Sequence, residues 1–141
     1  MAEIRKFSYA EPPPISIPMS PKKTLVLSTG HDPMLLNSRR LVLEHAGFDV
    51  VSCSVEHALG ELRQRPTDFD AAVLGQSIQL SERLSMAREM RGIAPGIAIV
   101  FMHFPEDRFD ASICDAVVET LSEPEVLARA VRRALKKRGK S

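Results

Sequence analysis

From Thr24 onward, short apolar runs of β character alternate with longer segments in which apolar residues recur every three or four positions. The first run, Thr24 to Leu27, continues through Ser28-Thr29-Gly30 to Asp32-Pro33, where an aspartate can cap a helix and a proline suits its first turn. That helix carries Leu35, Leu36, Val42, Leu43 and Ala46 on one side and stops at Gly47. Phe48 to Cys53 predicts a second strand. Ser54 then caps a second helix, with Val55, Ala58, Leu59 and Leu62 turned inward, before Pro66. Ala71 to Leu74 predicts the third strand, and a third helix starts near Ser81, buries Leu84, Ala87, Met90 and Ile93, and ends at Pro95-Gly96. Ile97 to Met102 is apolar at every position, as suits a parallel strand covered on both faces. Ala116 to Val118 predicts the fifth strand. In the last helix Ser122 and Glu125 form a capping box, and Val126, Leu127, Ala130, Val131, Ala134 and Leu135 recur at helical spacing before Gly139.

Strands alternating with amphipathic helices predict an α/β domain with a parallel sheet between two helical layers. One interval breaks the pattern. The 16 residues between Met102 and Glu119 contain Pro105, the charged Glu106-Asp107-Arg108 and few helix-periodic apolar positions, so the helix expected there is short or missing. Residues 1–21 hold Pro12, Pro13, Pro14, Pro18 and Pro21 without apolar periodicity and read as an extended arm, leaving residues 22–138 as the domain and 139–141 as a tail.

A length of 141 residues fits one domain. No apolar run approaches the ~18 residues of a bilayer span and no signal core follows the start, so the chain is expected in the cytoplasm, away from membranes. Cys53 and Cys114 lack any metal or redox spacing and read as buried free thiols. The net charge of +1 hides an asymmetry: residues 1–128 carry 12 basic against 18 acidic side chains, and the remainder is a basic stripe of Arg129, Arg132, Arg133, Lys136, Lys137, Arg138 and Lys140. No aromatic residue interleaves the stripe as a base-stacking surface requires, so it reads as a solvated helix face with cations at the favourable end of the helix dipole, with weak nucleic-acid binding through it as a lesser alternative.

The motifs of several chemistries are missing. There is no GxSxG elbow for hydrolysis, no GxGxxG for a dinucleotide and no GxxxxGK[ST] phosphate loop. His45 and His57 fall on helices with no nucleophile in sequence reach.

Four strings, in order and spacing, carry a likeness: Asp32-Pro33 with Leu35-Leu36 and Arg39-Arg40; Leu43 to Val50; Phe69 to Leu74; and Leu121 to Arg129. Together, over residues 22 to 138, they resemble a response-regulator receiver domain. The resemblance implies a flavodoxin-like doubly wound sheet of five parallel strands in the order 2-1-3-4-5, with its functional edge at the C-terminal strand ends. It also implies an aspartate nucleophile after strand three, an acidic pair for magnesium after strand one, a hydroxyl after strand four and a lysine after strand five, each handling charge on a transferred phosphoryl group.

At those positions this sequence has Gly75 for the nucleophile, Gly30 and His31 for the acidic pair, Met102 for the hydroxyl and Glu119 for the lysine. A shift of register would place Ser28 or Thr29 at the acidic pair, without restoring two carboxylates. Asp32 has its role as a helix cap. Asp70 begins strand three, about 16 Å from the functional edge at 3.3 Å per residue, and is no substitute nucleophile.

The expectation is therefore a degenerate receiver-like module of a bacterial regulatory system: no enzyme, without cofactor or resident metal, acting through contact with a regulatory protein, a homodimer remaining open. The candidate contact surface is the shortened segment with Phe104 and Phe109, then Thr120 and Leu121, and Arg129, Arg132 and Arg133 on the last helix. A rival reading is a small-ligand sensor whose vacated pocket is lined by Gly30, His31, Gly75, Gln76 and His103. His31, His103, Glu119 and Asp32 are also the groups that could offer imidazole and carboxylate to a divalent metal, a weaker reading than ordinary loop histidines.

Overall fold

The computed structural model describes residues 23–120 and 122–140. The Pro-rich arm and Leu121 lie outside the described residues, and so does Ser141. The strands are β1 (Leu25–Thr29), β2 (Asp49–Cys53), β3 (Ala71–Leu74), β4 (Ala98–His103) and β5 (Ala116–Glu119). The helices are α1 (Pro33–His45), α2 (Val55–Gln64), α3 (Leu80–Ile93) and α4 (Pro124–Lys137). All neighbouring strands pair in parallel, in the order β2-β1-β3-β4-β5.

Because side chains alternate along each strand, the sheet has two apolar faces. One joins Val26, Val73 and Val100 to Leu43 of α1 and Leu127, Val131 and Leu135 of α4. The other joins Leu27, Leu74, Ile99 and Phe101 to Leu62 of α2 and Met86 and Met90 of α3. Every residue of β3 is buried, as a strand flanked on both sides and covered on both faces requires.

The predicted strands are recovered with ends moved by one or two residues, the largest change being β1, which runs on through Ser28 and Thr29. Asp32 caps α1 as expected, accepting from the Met34 and Leu35 amides, and Gly47 leaves the helix at φ 102°. The Ser122–Glu125 capping box does not form. Pro124 takes the first helical position, so Glu123 becomes the capping residue and its side chain makes no capping bond. Nor does Ser54 cap α2 through its hydroxyl, which lies 2.7 Å from His57 Nδ1 instead. Between β4 and β5 the only helical element is the 3-10 turn Ala111–Ile113, the shortening that the composition of this interval predicts.

Two arginines sit where periodicity places only apolar residues. Arg39 of α1 and Arg83 of α3 are 6% and 1% exposed. Both reach the C-terminal edge of the sheet.

Candidate functional site

The register aligns Thr29, Leu74 and Phe101 across β1, β3 and β4, so Gly30 and Gly75 stand side by side just beyond. The Gly75 amide donates to Thr29 O at 2.9 Å, and Ser77 Oγ accepts from the His31 amide at 2.7 Å, tying the two strand ends together. This edge lies between the strands at which the chain changes direction across the sheet, where doubly wound folds place ligands.

The space there is occupied by the protein itself. Arg39 reaches in from α1, and its Nη2 donates to Gln76 Oε1. A Cβ added at Gly75 would lie 2.7 Å from Arg39 Nη1 and 3.3 Å from Thr29 O. At Gly30 a Cβ would meet Ser77 Oγ at 3.2 Å and Arg39 Nη1 at 3.9 Å. The guanidinium thus fills the volume that a side chain at position 75 would use. Burial pulls the pKa of Arg39 below its ordinary value, against the charge of Asp32, which raises it. The group still carries its charge at neutral pH. Of the pocket expected to be vacant among Gly30, His31, Gly75, Gln76 and His103, the part at Gly30, Gly75 and Gln76 is occupied by this residue.

Of the remaining candidates, Met102 and Glu119 border a cavity of about 120 Å³ together with Arg39, and the others are dispersed. Met102 is a strand residue, 8% exposed in the face shared with α1 and α4, and offers only its carbonyl, which accepts from Arg83 Nη1 at 2.5 Å. Glu119 is exposed at the end of β5, opposite His103. His31 Nε2 lies 3.6 Å from Glu82, whereas the His103 ring meets Phe109 edge-on with centroids 6.1 Å apart. Among the described residues no three His, Cys, Asp or Glu side chains are grouped to hold a metal ion. Asp70, at the opposite edge, accepts from the Leu25 amide. Burial pushes the Cys114 thiol up to about 11, and Cys53 is half-buried with its pKa also raised, first by burial. Both thiols are therefore poor nucleophiles at neutral pH.

The segment after β4 is held by the second arginine. Arg83 Nε donates to Ile78 O at 2.9 Å and Nη2 to Asp107 Oδ2 at 3.0 Å, while the Phe104 amide donates to the same carboxylate at 3.0 Å. Phe104 is 41% exposed. Phe109 is half-buried and packs on Phe101 with centroids 5.5 Å apart, so it belongs to the core more than to the surface. Thr120 is half-buried, its amide donating to His103 O. On α4, Arg129, Arg132 and Arg133 are all exposed, and Arg132 also reaches the end of α1, donating to Ala46 O at 2.9 Å and lying 5.5 Å from the Phe48 ring centre. Arg138 and Lys137 face Asp115, at 3.0 and 3.6 Å, so the basic stripe is partly neutralised.

Solved structures decide the fold. A receiver domain protein from Clostridium thermocellum superposes with a TM-score of 0.73 at 16% identity, over 82% of this chain and 97% of that one. A response regulator receiver protein from Sinorhizobium medicae gives 0.69 at 22%, over 83% and 98%. A CheY-like receiver domain protein from Methanospirillum hungatei gives 0.72 at 16%, over 84% and 98%. The chain has the fold of receiver domains. No curated protein matches the sequence. A family model described as a methyltransferase domain matches residues 86–141, less than half of the chain. This stretch begins within α3 and leaves out β1 to β3, hence both glycines of the strand-end site. Among the described residues no helix of this receiver-like chain is long and apolar enough to cross a membrane.

Proposed function

We propose that the chain is a receiver-like signalling module that is not phosphorylated at the strand-end site, is not an enzyme and works through protein contact. The observation that carries this reading is the Arg39 guanidinium lying 2.7 Å from where a Gly75 side chain would begin. A receiver-type phosphotransfer needs a carboxylate there to attack phosphorus and carboxylates beside it to hold magnesium. Here the first position is a glycine, its volume holds a fixed cation, and the acidic positions are Gly30 and His31. A second departure supports the same reading. The segment after β4, part of the surface that in receiver domains conveys the signal to partners, is clamped here to a buried arginine. The proposed contact surface is the exposed part of the predicted one: Phe104, with Arg129, Arg132 and Arg133 of α4.

Incubation with Mg²⁺ and acetyl phosphate followed by intact mass measurement tests this directly. The expected spectrum shows the unmodified mass alone. Stoichiometric gain of a phosphoryl group mapping to residues 23–140 would overturn the proposal.

A further inference from the structure

Among the described residues, the two most exposed large apolar side chains both stand on α1: Met34 at 79% and Leu41 at 53%, seven positions apart and so on one side of the helix. Leu41 borders a groove of about 530 Å³ between α1 and α4, with Val42, Ala46 and Ala128 also lining it. The α4 rim is polarised along its length. Glu125 lies at one end, and Arg129 and Arg132 follow one and two turns later, about 6 and 10 Å along the helix at 1.5 Å per residue. Arg132 is already fixed in place by Ala46 O.

An apolar groove with an acid at one end and bases at the other is complementary to itself when turned end for end. A two-fold axis near Ala128 sets Glu125 of one protomer against Arg129 and Arg132 of its partner, twice per dimer, and brings each Leu41 to the facing groove. A uniformly acidic or uniformly basic partner would meet like charge at one end or the other. We propose that this α1–α4 groove is the contact surface of a symmetric homodimer. The proposal goes beyond the reading of the strand-end site and does not depend on it.

Sedimentation velocity of the full chain across a concentration series tests it. The expected result is a concentration-dependent dimer. Leu41→Glu, at a position that is already largely exposed, should weaken it at least ~100-fold with unchanged circular dichroism. Glu125→Arg or Arg129→Glu alone should weaken it on the order of tenfold, because each change acts at two symmetry-related contacts. The Glu125→Arg/Arg129→Glu double variant should recover part of that loss, since Arg132 is unchanged. A monomer at every concentration, or a dimer indifferent to Leu41→Glu and to the charge reversals, would overturn the proposal and leave the phosphorylation result untouched.

Discussion

Arg83→Met is expected to lower the unfolding free energy by about 3–5 kcal/mol, chiefly from leaving two buried carbonyls without a donor. Methionine keeps the apolar stem and removes the donors. The carbonyls of Ile78 and Met102 and the carboxylate of Asp107 then lose their partners in a region where Arg83 is only 1% exposed. The damage is both local and global. Asp107 also accepts from the Phe104 amide, so the clamp links α3, the end of β4 and the segment that replaces a helix. Urea unfolding should show a lower midpoint, and limited proteolysis should find new cleavage within residues 104–110. Asp107→Asn keeps an acceptor for both donors but loses the charge, and should cost about 1–2 kcal/mol. Equal stability of Arg83→Met and the wild type would show that the clamp contributes nothing.

Asp115→Ala should cause a loss of similar size, again about 3–5 kcal/mol. The carboxylate is 1% exposed and collects Arg91, Arg138 at 3.0 Å, Lys137 at 3.6 Å and the Ile99 amide at 2.9 Å. It ties α3, β4 and the end of α4 to the start of β5. Burial pushes its pKa up, but the Ile99 amide and the two arginines outweigh burial and hold it below the usual aspartate value. A carboxyl with a lowered folded pKa contributes stability that is fully present above its unfolded value of ~3.9 and is lost as pH falls through the folded one. Acid titration of the wild type should therefore show stability falling below about pH 4. In Asp115→Ala that acid-dependent loss should be smaller. Parallel titrations of the two proteins would rule out this role for Asp115.

Most of the fold is legible in the pattern of apolar positions. The all-apolar run Ile97 to Met102 reads correctly as a buried parallel strand, and the sparse segment around Pro105 reads correctly as a short or missing helix. The cap at α4 does not read correctly, because proline fixes the first helical position and a pairwise motif cannot outweigh that constraint. The buried arginines are missed for one reason: patterning scores a residue by its side-chain polarity, and both guanidiniums lie among apolar neighbours while their ends reach fixed acceptors. A signal was present in the spacing. Position 39 is four residues after Leu35 and four before Leu43, in the middle of the inward stripe, and position 83 precedes Met86 and Ala87 by three and four. An arginine at such a place asks for a partner inside the fold. The sequence shows that Gly75 lacks a carboxylate, but only coordinates show what stands in its place.

A double-mutant cycle between positions 39 and 75 measures that occupancy most directly. Gly75→Ala alone should destabilise by about 1–3 kcal/mol, because its methyl group must displace a buried guanidinium. In the Arg39→Ala background, where only the 3.3 Å contact with Thr29 O remains, the same substitution should cost at least ~1 kcal/mol less. Equal costs in the two backgrounds would mean that Arg39 does not fill the strand-end site, and the account of a site closed by its own arginine would be wrong.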